Sequence, residues 1–189
     1  MDSEPTARRP TLPLEDERRI IKLARRGERD AWLELVTWHQ RALYRLAYAL
    51  TRTPDDAAQI TREALLRGWQ SLQQLPEGQR VLPWLIRVVR GLAIALARRR
   101  AGTPEAQRIL DEVVAASAHV NVETVGLLEA FIALETDDQI AIACRLLEDM
   151  PYGDIEAAIQ TPPGSAMRRL SLARVALEGG SPQRGESVA

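Results

Sequence analysis

The stretch GERDAWLELVTWHQRALYRLAYALTRTPDDAAQITREALLRGW, residues 27–69, decides the fold. In its first half Trp32, Leu35, His39, Ala42, Leu46 and Leu50 recur every three or four positions, which predicts one long helix from about Arg29 to Thr51. Thr53-Pro54-Asp55-Asp56 then starts another: a hydroxyl to cap it, proline at the first helical position, and acids against the helix dipole. In this third helix Ala57, Ile60, Ala64, Leu65, Gly68 and Leu72 face inward, while Asp56, Gln59, Glu63 and Arg67 form a polar stripe on another face. It is expected to run to about Leu75, where Leu75-Pro76-Glu77-Gly78 breaks it.

The same period extends outward in both directions. A first helix covers Leu14 to Arg26 and stops at Gly27. A fourth runs from about Pro83 to Arg100, with Leu85, Val88, Val89, Leu92 and Leu96 on its core side. Arg87, Arg90 and Arg98 share a second face, which Arg99 and Arg100 extend. Trp69 and Trp84 bracket the Leu75–Leu82 loop beside these arginines, and arginine with aromatic rings is the chemistry that holds single-stranded nucleic acid. Two buried core tryptophans explain the same residues equally well. Long helices with short connections predict an antiparallel bundle over 14–100.

Residues 101–125 mix weak helix with small residues and are expected to be a linker. Over 126–178 the helical pattern resumes in shorter pieces, with Ile140, Ala143, Cys144 and Leu147 as one apolar stripe. A short helix Tyr152–Ile159, the turn Gln160-Thr161-Pro162-Pro163 and a last helix from Gly164 or Ser165 to about Glu178 have helix-turn-helix spacing. Ser165 is placed to cap that last helix, leaving Arg168, Arg169, Ser171 and Arg174 for bases and phosphates. Nothing alternates as a strand does, so the expected fold class is all-α, with disordered tails over 1–13 and 179–189.

The net charge of −1 conceals a division. Residues 1–100 carry 19 Lys+Arg against 12 Asp+Glu and residues 101–189 carry 6 against 14, so a basic half precedes an acidic one. That asymmetry hints at a nucleic-acid partner for the basic half. Lone Cys144 closes no internal disulfide, which favours a reducing compartment, and the chain has neither a long uncharged apolar run nor a signal core. A cytoplasmic protein without membrane insertion is expected. His39 and His119 lack ligand spacing and there is no glycine-rich phosphate loop, so no metal, no cofactor and no enzymatic activity are expected.

GERDAWLELVTWHQRALYRLAYALTRTPDDAAQITREALLRGW followed by VLPWLIRVVRGLAIALARRR resembles region two of the extracytoplasmic-function (group four) sigma factors of bacterial RNA polymerase. EDMPYGDIEAAIQTPPGSAMRRLSLARVAL resembles their region four, and the order and linker fit that two-domain family. The resemblance implies a transcription initiation factor whose partners are core RNA polymerase, promoter DNA and an anti-sigma factor. By position it implies polymerase docking through Asp56, Gln59, Glu63 and Arg67. It implies minus-ten recognition through Gln79, Arg80, Trp84, Arg87, Arg90, Arg98, Arg99 and Arg100, and minus-thirty-five recognition through Ser165, Arg168, Arg169, Ser171 and Arg174. The chain departs from the family pattern at Gln59, Arg62, Gly91 and Gln160, and at Leu172 and Val175, which are apolar where DNA should lie. These last two, in an acidic half, keep a second reading open: a sigma-like regulatory protein that binds an anti-sigma factor or other partner without directing transcription.

Overall fold

The computed structural model describes residues 12–101, 103–104 and 122–180. Eight α-helices are delimited within them, and no strand is. They are α1 (Leu14–Arg25), α2 (Arg29–Thr51), α3 (Pro54–Gln70), α4 (Val81–Arg100), α5 (Val122–Ala133), α6 (Thr136–Glu148), α7 (Tyr152–Ile159) and α8 (Ser165–Gly180).

Helix α2 is the axis of the first half, with α1, α3 and α4 all packed on it and α3 packed on α4. Leu35 and Leu43 of α2, Ala57, Ile60 and Ala64 of α3, and Leu85 and Val89 of α4 meet in the interior. Each large aliphatic side chain removed from water there contributes about 1.5–3 kcal/mol. Gly68 lets α3 and α4 approach: a Cβ on it would stand 2.6 Å from Leu85 Cδ2 and 3.0 Å from Trp32 Cη2. In the second half Ile140 of α6, Ile155 and Ile159 of α7, and Ala166 of α8 form the interior. The halves touch, α2 against α6 and α4 against α7, and their buried apolar residues form one continuous cluster.

Four local expectations need correction. Helix α3 stops at Gln70, and Leu72–Gln74 form a 3-10 turn instead of continuing it. The turn is held by Arg25, whose guanidinium donates to the carbonyls of Leu72 and Leu75. Thr53 is no backbone cap, because its hydroxyl donates to the Asp56 side chain. Helix α4 begins at Val81, two residues before Pro83, because a buried carboxylate receives its first N–H (below). Helix α5 begins at Val122, inside the expected linker; the rest of that linker and most of both tails lie outside the described residues. Of the stripe on α6, Leu147 is 37% exposed while Ile140, Ala143 and Cys144 are buried.

Candidate functional site

A buried acid anchors α4. Glu17 of α1 is fully buried; its Oε1 accepts the Val81 N–H at 2.8 Å and its Oε2 accepts Arg80 Nε at 2.9 Å. Arg80 also reaches the Leu12 carbonyl at 2.6 Å, which ties the end of the 75–80 loop to the chain just ahead of α1. His39 of α2 lies beneath, with Nε2 at 3.9 Å from Glu17 Oε1. Burial and the neighbouring Arg80 charge lower its pKa to about 4, so the ring is neutral at pH 7.

The four residues of the α3 stripe do not behave alike. Gln59 is exposed, and Glu63 and Arg67 pair across one turn at 2.6 Å on the surface, with Leu66 beside them 51% exposed. Asp56 is only 8% exposed. It takes two hydrogen bonds from the Arg100 guanidinium, one of 3.0 Å, and one from Thr53. Burial pushes its carboxyl up, but these bonds and the Arg100 charge outweigh burial and hold it below the usual carboxylate range. The pair fastens the start of α3 to the end of α4.

The residues expected to read the minus-ten element divide the same way. Arg80 and Arg100 are held by Glu17 and Asp56. Trp84 is half-buried against the core, as is Trp69, whose ring lies 5.8 Å from Trp32. Gln79 is exposed and accepts from Arg87 Nη2 at 3.0 Å; Arg98 and Arg99 are exposed. Arg90 points at the other half of the chain, its guanidinium bonded to both carboxylate oxygens of Asp137 on α6, one at 3.0 Å. Nearby on the same boundary, Arg45 of α2 donates to Glu148 Oε1 and the Leu147 carbonyl, both at 3.0 Å. Gly91 is exposed, with open space beside it.

In the helix-turn-helix, the cap comes from elsewhere than expected. The Ser165 hydroxyl donates to the Pro162 carbonyl at 2.5 Å. The Ala166 N–H is received by buried Glu156 of α7 at 3.0 Å. Gln160 makes the turn with φ +57°, the left-handed region that favours glycine. Arg169 is drawn inward to Asp138 at 2.6 Å and holds α8 on α6. Arg168 and Ser171 are exposed, and Arg174 pairs with Glu178 at 2.6 Å in solvent. Met167, Leu172 and Val175 are 58%, 62% and 66% exposed, which makes the outer face of α8 partly apolar.

Residues 35–103, which span most of α2 and all of α3 and α4, match the family model for sigma-70 region 2. Over these residues the chain is similar to sigma-70 region 2, and the relatives it resembles over most of its length are RNA polymerase sigma factors. It is 23% identical over 172 residues to the extracytoplasmic-function RNA polymerase sigma factor SigW of Bacillus subtilis, covering 83% of this chain and 92% of SigW. With the probable RNA polymerase sigma factor RfaY of Xanthomonas campestris it shares 27% over 173 residues, or 86% of this chain but only 43% of that relative. In fold it is similar to the sigma factor RpoE of Bartonella quintana, solved in complex with the anti-sigma factor NepR: TM-score 0.58, 19% identity, 78% of this chain and 94% of that one. The region 2 match therefore takes in the α3 stripe, the 75–80 loop and the arginines of α4 as one unit.

Glu17, Glu156, Asp137 and Asp138, which position these helices, are the residues that sequence reasoning missed. For the two glutamates a signal existed: Glu17 lies on the apolar face that holds Ile20, Ile21 and Ala24, and Glu156 lies among Ile155, Ala158 and Ile159. An acid inside an apolar stripe must find a donor when it is buried. The aspartates carry no such mark, since their partners lie 47 and 31 residues away.

Proposed function

We propose that this chain is a transcription initiation factor that binds core RNA polymerase, directs it to promoters through minus-ten and minus-thirty-five elements, and helps open the minus-ten region. The observation that carries this reading is the region 2 match over residues 35–103. Docking falls to Gln59, Glu63 and Arg67 with exposed Leu66, while Asp56 holds α3 in place for them. Minus-ten contacts fall to Gln79, Arg87, Arg98 and Arg99, the edge of Trp84, and Arg90 once Asp137 releases it. Arg80 and Arg100 set the ends of α4. Arg168, Ser171 and Arg174, with Ser165 at the turn, face the minus-thirty-five element, and Arg169 braces α8. The protein catalyses no reaction itself and works in the cytoplasm, where polymerase and chromosome are. An anti-sigma partner is part of this reading, since RpoE is found with one. Core polymerase reconstituted with this protein and fragments of the source genome should give promoter-specific transcripts. Failure to retain the protein on immobilised core polymerase overturns the reading.

A second reading is favoured by Met167, Leu172 and Val175, exposed on the helix meant for DNA. A sigma-like protein that captures a partner without directing transcription would use them. The double substitution Leu172→Arg with Val175→Arg separates the two. It abolishes partner capture under the second reading and leaves or improves promoter use under the first, because added arginine favours phosphate.

A further inference from the structure

We propose that the outer face of α1 is a further phosphate-binding site, which carries the backbone of the single strand continuing past the 75–80 loop. The site rests on the reading of that loop and α4 as the promoter-opening element. It is built from Arg18 and Lys22, four residues apart on one side of the helix, and from Arg26 at its C-cap four residues on, all exposed. Arg19 lies beside them, loosely paired with Asp16 at 3.5 Å. With Leu23 and Glu15 they line a shallow groove along α1. Among the described residues no carboxylate pairs with Arg18, Lys22 or Arg26.

Two features distinguish this face from an ordinary solvated one. The first is its place. The loop lies along α1: Arg25 holds the carbonyls of Leu72 and Leu75, Gln73 Nε2 donates back to the Arg25 carbonyl at 2.7 Å, and Arg80 reaches Leu12. The Arg18 guanidinium lies 3.8 Å from where a Cβ on Gly78 would stand, so the basic row begins at the loop itself. The second is availability. Arg80, Arg90 and Arg100 are consumed by internal carboxylates, whereas the α1 row keeps its charge free toward solvent. Eight residues of helix span about 12 Å. At about 3.4 Å per phosphate along a stacked strand, that is room for three or four phosphates. Side chains on flexible stems with no ring beside them suit a backbone of any sequence, so the site adds affinity and salt dependence without base preference.

The test uses the chain's only lysine, Lys22. The full-length protein is treated with an amine-acylating reagent with and without a 25-nucleotide oligodeoxythymidine, and acylation of Lys22 is read by mass spectrometry. In parallel, the salt dependence of oligonucleotide binding is measured for the wild type and for the triple variant Arg18→Gln, Lys22→Gln, Arg26→Gln. Protection of Lys22 by the oligonucleotide is expected, together with a fall of about 2 in the slope of log K against log salt, at about 0.7 per lost contact. Oligonucleotide binding with Lys22 still fully reactive and the slope unchanged overturns the α1 site while leaving the loop and α4 as the contact. Absence of binding by the wild type at 50 mM salt also overturns it, and the initiation-factor reading is then judged separately by retention on core polymerase.

Discussion

At the scale of single residues, three positions set opposing effects against each other. Alanine in place of an interior helical glycine ordinarily gains about 1 kcal/mol. At Gly68 the new methyl would meet Leu85 and Trp32 at 2.6 and 3.0 Å in a filled interior, and overpacking costs about 1–3 kcal/mol. Gly68→Ala should therefore lower stability by on the order of 1 kcal/mol in urea melts, and equal or higher stability would refute the close approach. Gln160 runs the other way, since its φ of +57° is strained for a side chain and free for glycine. Gln160→Gly should raise stability by roughly 0.5–1 kcal/mol, the relief being reduced by the entropy of glycine in the unfolded chain. His39 gives the pH dependence. Its folded pKa of about 4 lies below the unfolded 6.5, so between the two values the unfolded chain binds the proton first. Stability then falls as pH drops from about 6.5 towards 4, by about 2 kcal/mol between pH 7 and 5. His39→Asn should flatten that part of the profile, and an identical slope in the variant would assign it to other groups.

Among elements, the two helices proposed above to face DNA share one device: a buried glutamate from an earlier helix receives the first free N–H, Glu17 for α4 and Glu156 for α8. A helix N-terminus without such a partner leaves donors unsatisfied. Glu156→Gln keeps size and can still accept, so it should cost less than Glu156→Ala, which removes the acceptor and opens a cavity beside Ile155 and Ile159. About 1–2 kcal/mol is expected for the alanine, with α8 exchanging its first amides faster; equal exchange in both variants would deny the cap. These caps also explain what the sequence made legible. Periodicity located α1, α2, α7 and α8 to within a residue or two, because the signal is a repeat along one helix. Boundaries shifted where a distant partner intervenes: Glu17 pulls the start of α4 back to Val81, and Arg25 ends α3 by gathering Leu72 and Leu75. The site residues were legible as charged faces. Which arginines were free was not, because Asp56, Asp137 and Asp138 reach them across 44, 47 and 31 residues.

Over the whole molecule, the contact between halves bears on the proposed function, because it consumes Arg90. Among the described residues two ion pairs cross it, and they differ in kind. At Glu148 burial outweighs Arg45 and Arg41 and pushes the carboxyl up, so the charged form is held there at a loss. Glu148→Gln should leave the contact intact or tighten it slightly. Asp137 makes two bonds to one guanidinium that is itself 31% exposed, and its removal leaves a part-buried arginine without an acceptor. Asp137→Asn should weaken the closed arrangement by about 1 kcal/mol, roughly a fivefold shift towards separated halves. The apolar contact of α2 with α6 and of α4 with α7 remains, so the shift is partial and the fold of each half is unaffected. Small-angle scattering should show a larger radius of gyration for Asp137→Asn than for Glu148→Gln, and the freed Arg90 should raise affinity for single-stranded DNA in the same variant alone. A pair of variants indistinguishable in both measurements would mean that the apolar contact alone sets the closure and that Arg90 is not what it restrains.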